Sequence, residues 1–366
     1  MKPQSQTTAC KLLPRLLAAL VTVCGTMSAS AQVVTLTNFD AAATSSFNAP
    51  GNWDSGLAPA PGNQYFTTNF TLRTPADANS YIFAGDSLSI DTNGFLAING
   101  SGILTVANGV LDGGTLQNAG TGAIPDAATI AGNLNATNLL RADSFLNGGV
   151  TLTSTLDVQA PISGVGAITV VGPGTVILSA SNSFAGQLQI NSGTVKANNA
   201  SAIPLSQFSG DNVGNLRVNW LANTAGNTNA IFDLNGFNVI ANQFISGSSN
   251  ANSLPPTIIN SVPGSTNTLT VGNGDGNGFT WRGVVRDNLG TGGKVGFTKV
   301  GSGLFSLSVT VNELSYSGDT TFAGGTVNLG ASLILPWGAG KGNLIVSNPC
   351  TLNMSGRSLI VNGFSG

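Results

Sequence analysis

The residues that could carry out chemistry are few in this chain. Its 366 residues include no His, a single Glu (Glu313) and three Cys. Without His there is no Ser-His-Asp triad and no imidazole base, so only carboxylate chemistry remains, such as the acid pair of glycosidases. The Asp residues are scattered, and we predict no catalytic residue. We interpret five of them as turn residues whose carboxylates bond to nearby backbone: Asp86, Asp91, Asp112, Asp233 and Asp319.

One acid-bearing loop needs separate treatment, because Gly272–Gly278 superficially resembles calcium-binding glycine-rich loops. Asn273 and Asp275 interrupt the phase of that pattern, and no second copy follows. We therefore predict a turn and no metal site, with Ca²⁺ binding at Asp275 as the alternative. No cofactor is expected either, since the Gly-rich segments 172–174 and 301–303 precede strands, whereas a phosphate site needs a helix N-terminus.

The charge distribution limits the classes of partner. Only 8% of residues are charged and the formal net charge is −2. Nucleic acid and anionic lipid both require clustered Lys and Arg, so neither is an expected partner. The densest basic stretch has Gly and Thr between its cations, and we interpret these as solvated loop charges: Arg282, Arg286, Lys294 and Lys299.

Residues 1–31 have the three parts of a secretory signal peptide. Cationic residues open it, residues 16–23 (LLAALVTV) are apolar but too few to span a bilayer, and small residues end it. Three of the 13 cationic residues lie in this segment, so the mature chain has ten against 15 acidic residues, a formal charge of −5. We predict cleavage after the Ala29-Ser30-Ala31 sequence, immediately before Gln32.

The predicted cleavage determines which cysteines the mature chain keeps. Cys10 and Cys24 leave with the signal, so Cys350 remains alone and no intrachain disulfide can form. A lipoprotein signal ending at Cys24 is the alternative, but Val23 is bulkier than the small residue such signals carry before the cysteine. Stability must then come from backbone pairing and apolar packing.

Short strands of alternating apolar and polar residues recur along the mature chain, separated by Gly and Asn. Gly174-Thr175-Val176 returns as Gly193-Thr194-Val195, and Gly303 is followed, after a slightly longer step, by Gly325-Thr326-Val327. A coil of about 20 residues buries its apolar side chains only when copies stack. The spacing predicts an all-β, right-handed parallel β-helix (β-solenoid) of about 15 coils and about 70 Å.

The repeated segments also resemble a known family. Residues 171–179, 182–186 and 190–195 are similar to the autotransporter-associated β-strand repeat, also called the passenger-associated transport repeat. A looser copy runs from Lys299 to Leu329, with Leu314 where the repeat usually has Asn. This resemblance implies a parallel β-helix that is exported to the cell surface.

Three regions are expected along the chain. Residues 1–31 form the signal peptide, and residues 32–85, with Trp53 and several Pro, form an N-terminal cap or a small β module. Residues 86–366 form the parallel β-helix, with repeat copies near 170–197 and 299–330. Because the strand pattern continues close to Gly366, we expect the chain to be truncated at its C-terminus.

The predicted function is that of a secreted or outer-surface, passenger-like structural or adhesion protein without catalysis. Its repetitive Thr, Ser and Asn face would bind surface or glycan ligands, and we expect a monomer. A membrane would be met only during export or through an anchor outside this chain. The alternatives are a polysaccharide-binding or polysaccharide-degrading β-helix, and a carbohydrate-binding module at residues 38–120.

Overall fold

A computed structural model describes residues 31–38, 47–120, 126–137, 144–205, 215–222, 228–246, 253–272, 278–288, 290, 292–310 and 312–366. The chain divides into two units, Met1–Ser30 and Ala31–Gly366, and all of the described residues belong to the second. Its only helix among the described residues is a single 3₁₀ turn, Pro50–Asn52. None of these residues belongs to a helix with the length and apolar character needed to cross a membrane.

The described residues form 34 strands. The first half of the chain contains β1 Gln32–Thr35, β2 Asn63–Phe66, β3 Thr71–Arg73, β4 Tyr81–Ile82, β5 Ser87–Asp91, β6 Phe95–Ile98, β7 Ile103–Asp112, β8 Thr115–Asn118, β9 Ala127–Ala136, β10 Ser144–Asn147, β11 Thr155–Val158, β12 Ile162–Gly164, β13 Ile168–Val171, β14 Thr175–Leu178, β15 Leu188–Ile190 and β16 Thr194–Ala197. The second half contains β17 Asn215–Val218, β18 Leu221–Ala222, β19 Ile231–Asp233, β20 Val239–Ala241, β21 Gln243–Ser246, β22 Ser253–Leu254, β23 Thr257–Ile259, β24 Thr266–Val271, β25 Phe279–Trp281, β26 Val284–Arg286, β27 Lys294–Lys299, β28 Leu304–Leu307, β29 Leu314–Ser315, β30 Thr320–Phe322, β31 Thr326–Leu329, β32 Leu344–Val346, β33 Thr351–Asn353 and β34 Phe364–Ser365.

These strands build a parallel β-helix. A 14-stranded sheet follows the path β1-β2-β5-β7-β9-β11-β14-β16-β19-β23-β26-β29, with β4 and β12 at its sides, and an eight-stranded sheet follows β3-β6-β8-β10-β13-β15-β17-β21. Later coils add a six-stranded and a four-stranded sheet. The chain alternates between sheets, so each strand pairs with a strand one coil away. Among the described residues every pair of strands is parallel except β18 with β22. The predicted fold is confirmed; the hand of the winding stays a prediction.

The register of the coils follows the repeated motif. Thr175 pairs with Thr194 and Val176 with Val195, so the first two Gly-Thr-Val copies lie directly above one another. Phe305 pairs with Val327, so the copy that begins at Gly325 lies on the coil that begins at Gly303, after the longer step in sequence. Apolar side chains from successive coils stack in one buried core, and a fully buried Val or Leu side chain contributes about 1.5–3 kcal/mol. Stacking of neighbouring coils therefore provides the main stabilising term.

The glycine of the Gly-Thr-Val motif has a steric role at the corner of the coil. Gly193 has φ of +74° and Gly325 has φ of +64°, a region that favours glycine. A Cβ on Gly193 would also lie 2.5 Å from the carbonyl oxygens of Gly172 and Gly174 on the neighbouring coil. The motif therefore marks a corner where two coils approach closely.

The N-terminal coils contain an aromatic cluster. Trp53, Tyr65 and Phe83 are buried, and the Trp53 and Tyr65 rings meet edge to face with centroids 4.9 Å apart. Trp53 forms an antiparallel bridge with Leu36, and the Asp54 N–H donates to the Thr35 carbonyl at 3.0 Å. The segment around Trp53 thus lies antiparallel along the outer edge of β1.

Candidate functional surface

The predicted turn carboxylates mostly join neighbouring coils. Asp86 Oδ1 accepts the Gly62 N–H at 2.8 Å, and Asp319 Oδ1 accepts the Asn343 N–H at 2.8 Å, each 24 residues away in sequence. Backbone bonding was predicted, but the sequence does not show that the partner lies on another coil. These acids act as links between coils.

Asp233 accepts hydrogen bonds both from its own turn and from the next coil. Its Oδ1 accepts the N–H of Asn235 in its own turn and that of Ser261 on the next coil, both at 2.9 Å. Its Oδ2 has no hydrogen-bond partner and lies 3.8 Å from Lys196 Nζ. The carboxylate is buried, so this ion pair offsets part of its desolvation.

Asp91 and Asp112 are acidic residues that the fold brings into register on adjacent coils. Asp91 accepts the Thr68 N–H and the Ser89 hydroxyl, both at 2.6 Å, and Asp112 accepts the Thr137 hydroxyl at 3.0 Å. Burial raises the pKa of Asp91; its hydrogen bonds oppose this, and the charge of Asp112 adds to it. Both carboxylates thus already have structural partners.

The remaining candidates have local roles or lie outside the description. Glu313 accepts the N–H of Thr310 in its own turn. Asp275 and the predicted alternative of Ca²⁺ binding fall in residues 273–277, outside the described residues. Within the described part of the chain, no group of three or more His, Cys, Asp or Glu side chains is placed to hold a metal ion.

The interpretation of Lys299 as a solvated loop charge is wrong. Its side chain is fully buried at the end of β27. Nζ donates to the carbonyl oxygens of Gly301, Gly303 and Gly324 at 2.7–2.8 Å, so all three ammonium hydrogens have acceptors. The sequence did indicate this burial. Side chains alternate between the two faces of a strand, so Lys299 lies on the same face of β27 as the buried Val295 and Phe297.

Cys350 lies close to the same corner. Burial raises the pKa of its thiol, and the Gly324 N–H and the Lys299 ammonium only partly oppose this effect. The thiol therefore stays protonated at neutral pH, which makes it a weak nucleophile.

The outward side of the eight-stranded sheet, like those of the six-stranded and four-stranded sheets, differs in charge from that of the 14-stranded sheet. One straight column of paired residues runs along the outward side of the eight-stranded sheet, and we call it the outward column: Phe95, Thr115, Phe145, Thr169, Gln189 and Arg217. Thr169 is itself fully buried, so the accessible parts of the column lie on either side of it. None of the eight strands contains Asp or Glu. The 14-stranded sheet, by contrast, contains several acids, including Asp91, Asp157 and Asp233.

Arg217 is held in place by a chain of amides. Its Nε donates to Asn219 Oδ1 at 2.8 Å, and Asn219 Nδ2 donates to Asn191 Oδ1 at 2.6 Å. Gln189 Nε2 donates to the same oxygen of Asn191 at 2.9 Å. The guanidinium is therefore oriented by its Nε, and its two terminal nitrogens form no bond with any described residue.

Comparison with known proteins gives one informative similarity. The chain is 29% identical over 221 residues to the adhesin BmaC autotransporter of Brucella suis biovar 1 (strain 1330). The alignment covers 60% of this chain and 5% of that protein, so the chain spans a small fraction of its relative's length. No family model and no solved structure matches the chain. The chain is therefore a parallel β-helix that is similar, over part of its length, to an autotransporter adhesin.

Proposed function

We propose that this chain is a secreted or surface-exposed, passenger-like β-helix that serves in adhesion and has no catalytic role. The observation that carries the proposal is the similarity to an autotransporter adhesin over 60% of a chain that folds as a parallel β-helix. Residues 170–197 and 299–330 would then be copies of the autotransporter-associated β-strand repeat. Their in-register pairing supports this assignment.

The proposed absence of catalysis rests on what the carboxylates do. Asp86, Asp233 and Asp319 accept backbone N–H bonds from neighbouring coils, and Asp91 accepts one from Thr68. Acids that bond to the backbone of neighbouring turns and coils are needed for the fold, which supports a structural role for them over a catalytic one. A reducing-sugar assay over a panel of polysaccharides tests the rival, a polysaccharide-degrading β-helix, and robust turnover would contradict our proposal.

Export is proposed to proceed through the signal peptide of residues 1–31. Strand β1 begins at Gln32, the residue that follows the proposed cleavage site at Ala29 and Ala31. The mature protein would therefore begin directly with a strand of the first coil. N-terminal sequencing of the secreted protein should read Gln-Val-Val-Thr, and a start elsewhere would contradict the site.

Residues 32–85 are proposed to cap the β-helix. The segment around Trp53 lies antiparallel along β1, which occupies the edge that would otherwise accept another parallel strand. The remaining coils then stack on β1 through β2. The cap thus prevents addition at this end and agrees with a monomeric protein.

The adhesive role is tested with the protein itself. Fluorescent beads coated with the purified protein should attach to cultured epithelial cells more than beads coated with serum albumin do. Soluble protein should compete with this attachment, because both would occupy the same ligands. Equal attachment of the two bead types would contradict the proposal.

A further inference from the structure

From the start of β1 we infer a modification site: the mature chain begins with a pyroglutamate ring made from Gln32. This inference rests on the proposed cleavage before Gln32 and goes beyond it, because it concerns the chemical form of the new N-terminus. Cleavage would leave a free α-amino group and a side-chain amide on the same residue. Attack of the amine on the amide closes a five-membered lactam, and this step needs no oxidant, metal or second molecule.

The reaction balances within the one residue. The α-amino nitrogen of Gln32 forms a bond to Cδ, and the bond from Cδ to the side-chain nitrogen breaks. That nitrogen leaves as ammonia and takes the proton that the attacking amine gives up. Two groups of one residue react with the rate advantage of an intramolecular step. An ordinary α-amino group has a pKa of about 7.7–8.0, far below that of Lys, so part of it is uncharged and nucleophilic at neutral pH.

The structure leaves the Gln32 side chain free to react. Gln32 is exposed, and its side chain forms no hydrogen bond with any described residue. Val33 is exposed as well, and burial in the core begins only at Val34. The hydrogen bonds from the segment around Trp53 to β1 begin at Thr35, three residues further along the strand. The first residue of β1 therefore has the space that ring closure requires.

Ring closure changes the charge of the N-terminal coils and leaves their pairing in place. Residues 32–72 contain no Lys or Arg, so the α-ammonium would be the only positive charge N-terminal to Arg73 in the mature chain. The lactam nitrogen is uncharged, as an acetylated N-terminus is, and it keeps one hydrogen. A donor thus remains at the start of β1, which pairs in register with β2. Aminopeptidases require a free amine, so the exposed end of β1 is closed to stepwise degradation.

Mass spectrometry of the secreted full chain tests the site. The protein is unfolded in guanidinium chloride, labelled with an amine-reactive reagent and then cut with trypsin. The N-terminal peptide runs from Gln32 to Arg73 and contains no Lys, so the α-amino group is its only amine. We expect this peptide to be unlabelled and lighter than its sequence by one ammonia. Labelling before digestion excludes rings that close during digestion, and mass spectrometry reads this start with or without a free amine.

Gln32→Asn is the matched control, because its amide is one methylene shorter and closure would need a strained four-membered ring. The N-terminal peptide of this variant should carry the label. Label on most wild-type peptides that begin at Gln32 would overturn the modification and leave the cleavage site standing. A secreted chain that begins at another residue would refute the cleavage site and the modification together.

Discussion

Individual polar residues in this molecule are placed to satisfy backbone groups at the corners between coils. Lys299 is the clearest case, because three carbonyl oxygens of a glycine-rich corner surround its ammonium. Asn260 has a similar role: it is fully buried, and its amide contacts Gly236, Ser265 and Asn267. Buried backbone groups need partners, and side chains provide them where the strands end.

Replacement of Lys299 should therefore be strongly destabilising. Lys299→Met keeps the length of the side chain but removes the charged donor that the carbonyl groups of Gly301, Gly303 and Gly324 share, so we expect the free energy of unfolding to fall by about 3–5 kcal/mol. Urea denaturation measures this change. Lys294→Met, on the exposed start of the same strand, should change it by less than about 0.5 kcal/mol. Equal effects of the two substitutions would contradict the buried role.

Asp91 should make stability depend on pH. Its pKa is raised above the ordinary value of 3.8, so the folded state holds the proton more tightly than the unfolded state. The ionised carboxylate therefore lowers stability above the folded pKa, and this penalty disappears as the pH falls towards 3.8.

Asp91→Asn removes this penalty: its amide oxygen can still accept the Thr68 N–H, and its amide nitrogen can donate to the Ser89 hydroxyl. We expect the melting temperature of the variant to equal or exceed that of the parent at pH 7. The difference should shift in favour of the parent as the pH is lowered to 4. Thermal unfolding followed by circular dichroism at the two pH values measures it. If Asp91→Asn instead gains stability relative to the parent as the pH is lowered, folding does not raise the pKa of Asp91.

At the scale of strands and turns, the strand register that follows from short repeated motifs was predictable from the sequence. The Gly-Thr-Val motif gave the register of β14 on β16 and of β28 on β31, because coils of similar sequence stack with like residues above one another. The outward column was not predictable in this way. The step in sequence from Phe95 to Thr115 is shorter than the step from Thr115 to Phe145, so unequal coil lengths hide their alignment.

The segment around Trp53 covers the edge of the 14-stranded sheet at β1, which would otherwise be open to pairing with another strand. Trp53 is buried against Tyr65 and Phe83, and its Nε1 donates to the Phe47 carbonyl at 3.0 Å. Trp53→Ala should release this segment from β1, speed hydrogen exchange in β1 and β2, and allow self-association through the exposed edge.

Sedimentation velocity and hydrogen exchange measure both effects. Trp337→Ala is the matched control, because Trp337 is 48% exposed and its removal should leave the molecule monomeric. Unchanged exchange in β1 after loss of Trp53 would contradict the capping role.

At the scale of the whole unit Ala31–Gly366, stability is distributed along the stack. Each coil contacts mainly its two neighbours, so the energy is close to a sum of coil and interface terms. Cys350 is the one free cysteine among the described residues, so cooperativity must be carried by the apolar core and by links between coils such as Asp86 and Asp319. A long and regular surface of this kind suits repeated weak contacts with an extended ligand.

The central claim is that successive coils stack in parallel and in register, and disulfide trapping tests it most directly. In a Cys350→Ser background, Thr175→Cys combined with Thr194→Cys places two thiols on directly paired residues, whose spacing of about 4.8 Å lies within the range that a disulfide spans. Thr175→Cys combined with Lys196→Cys moves one thiol two residues along the strand. We predict rapid and nearly complete cross-linking of the first pair, seen by mass spectrometry, and little of the second. Preferential cross-linking of the offset pair, or of neither, would contradict the stacked β-helix.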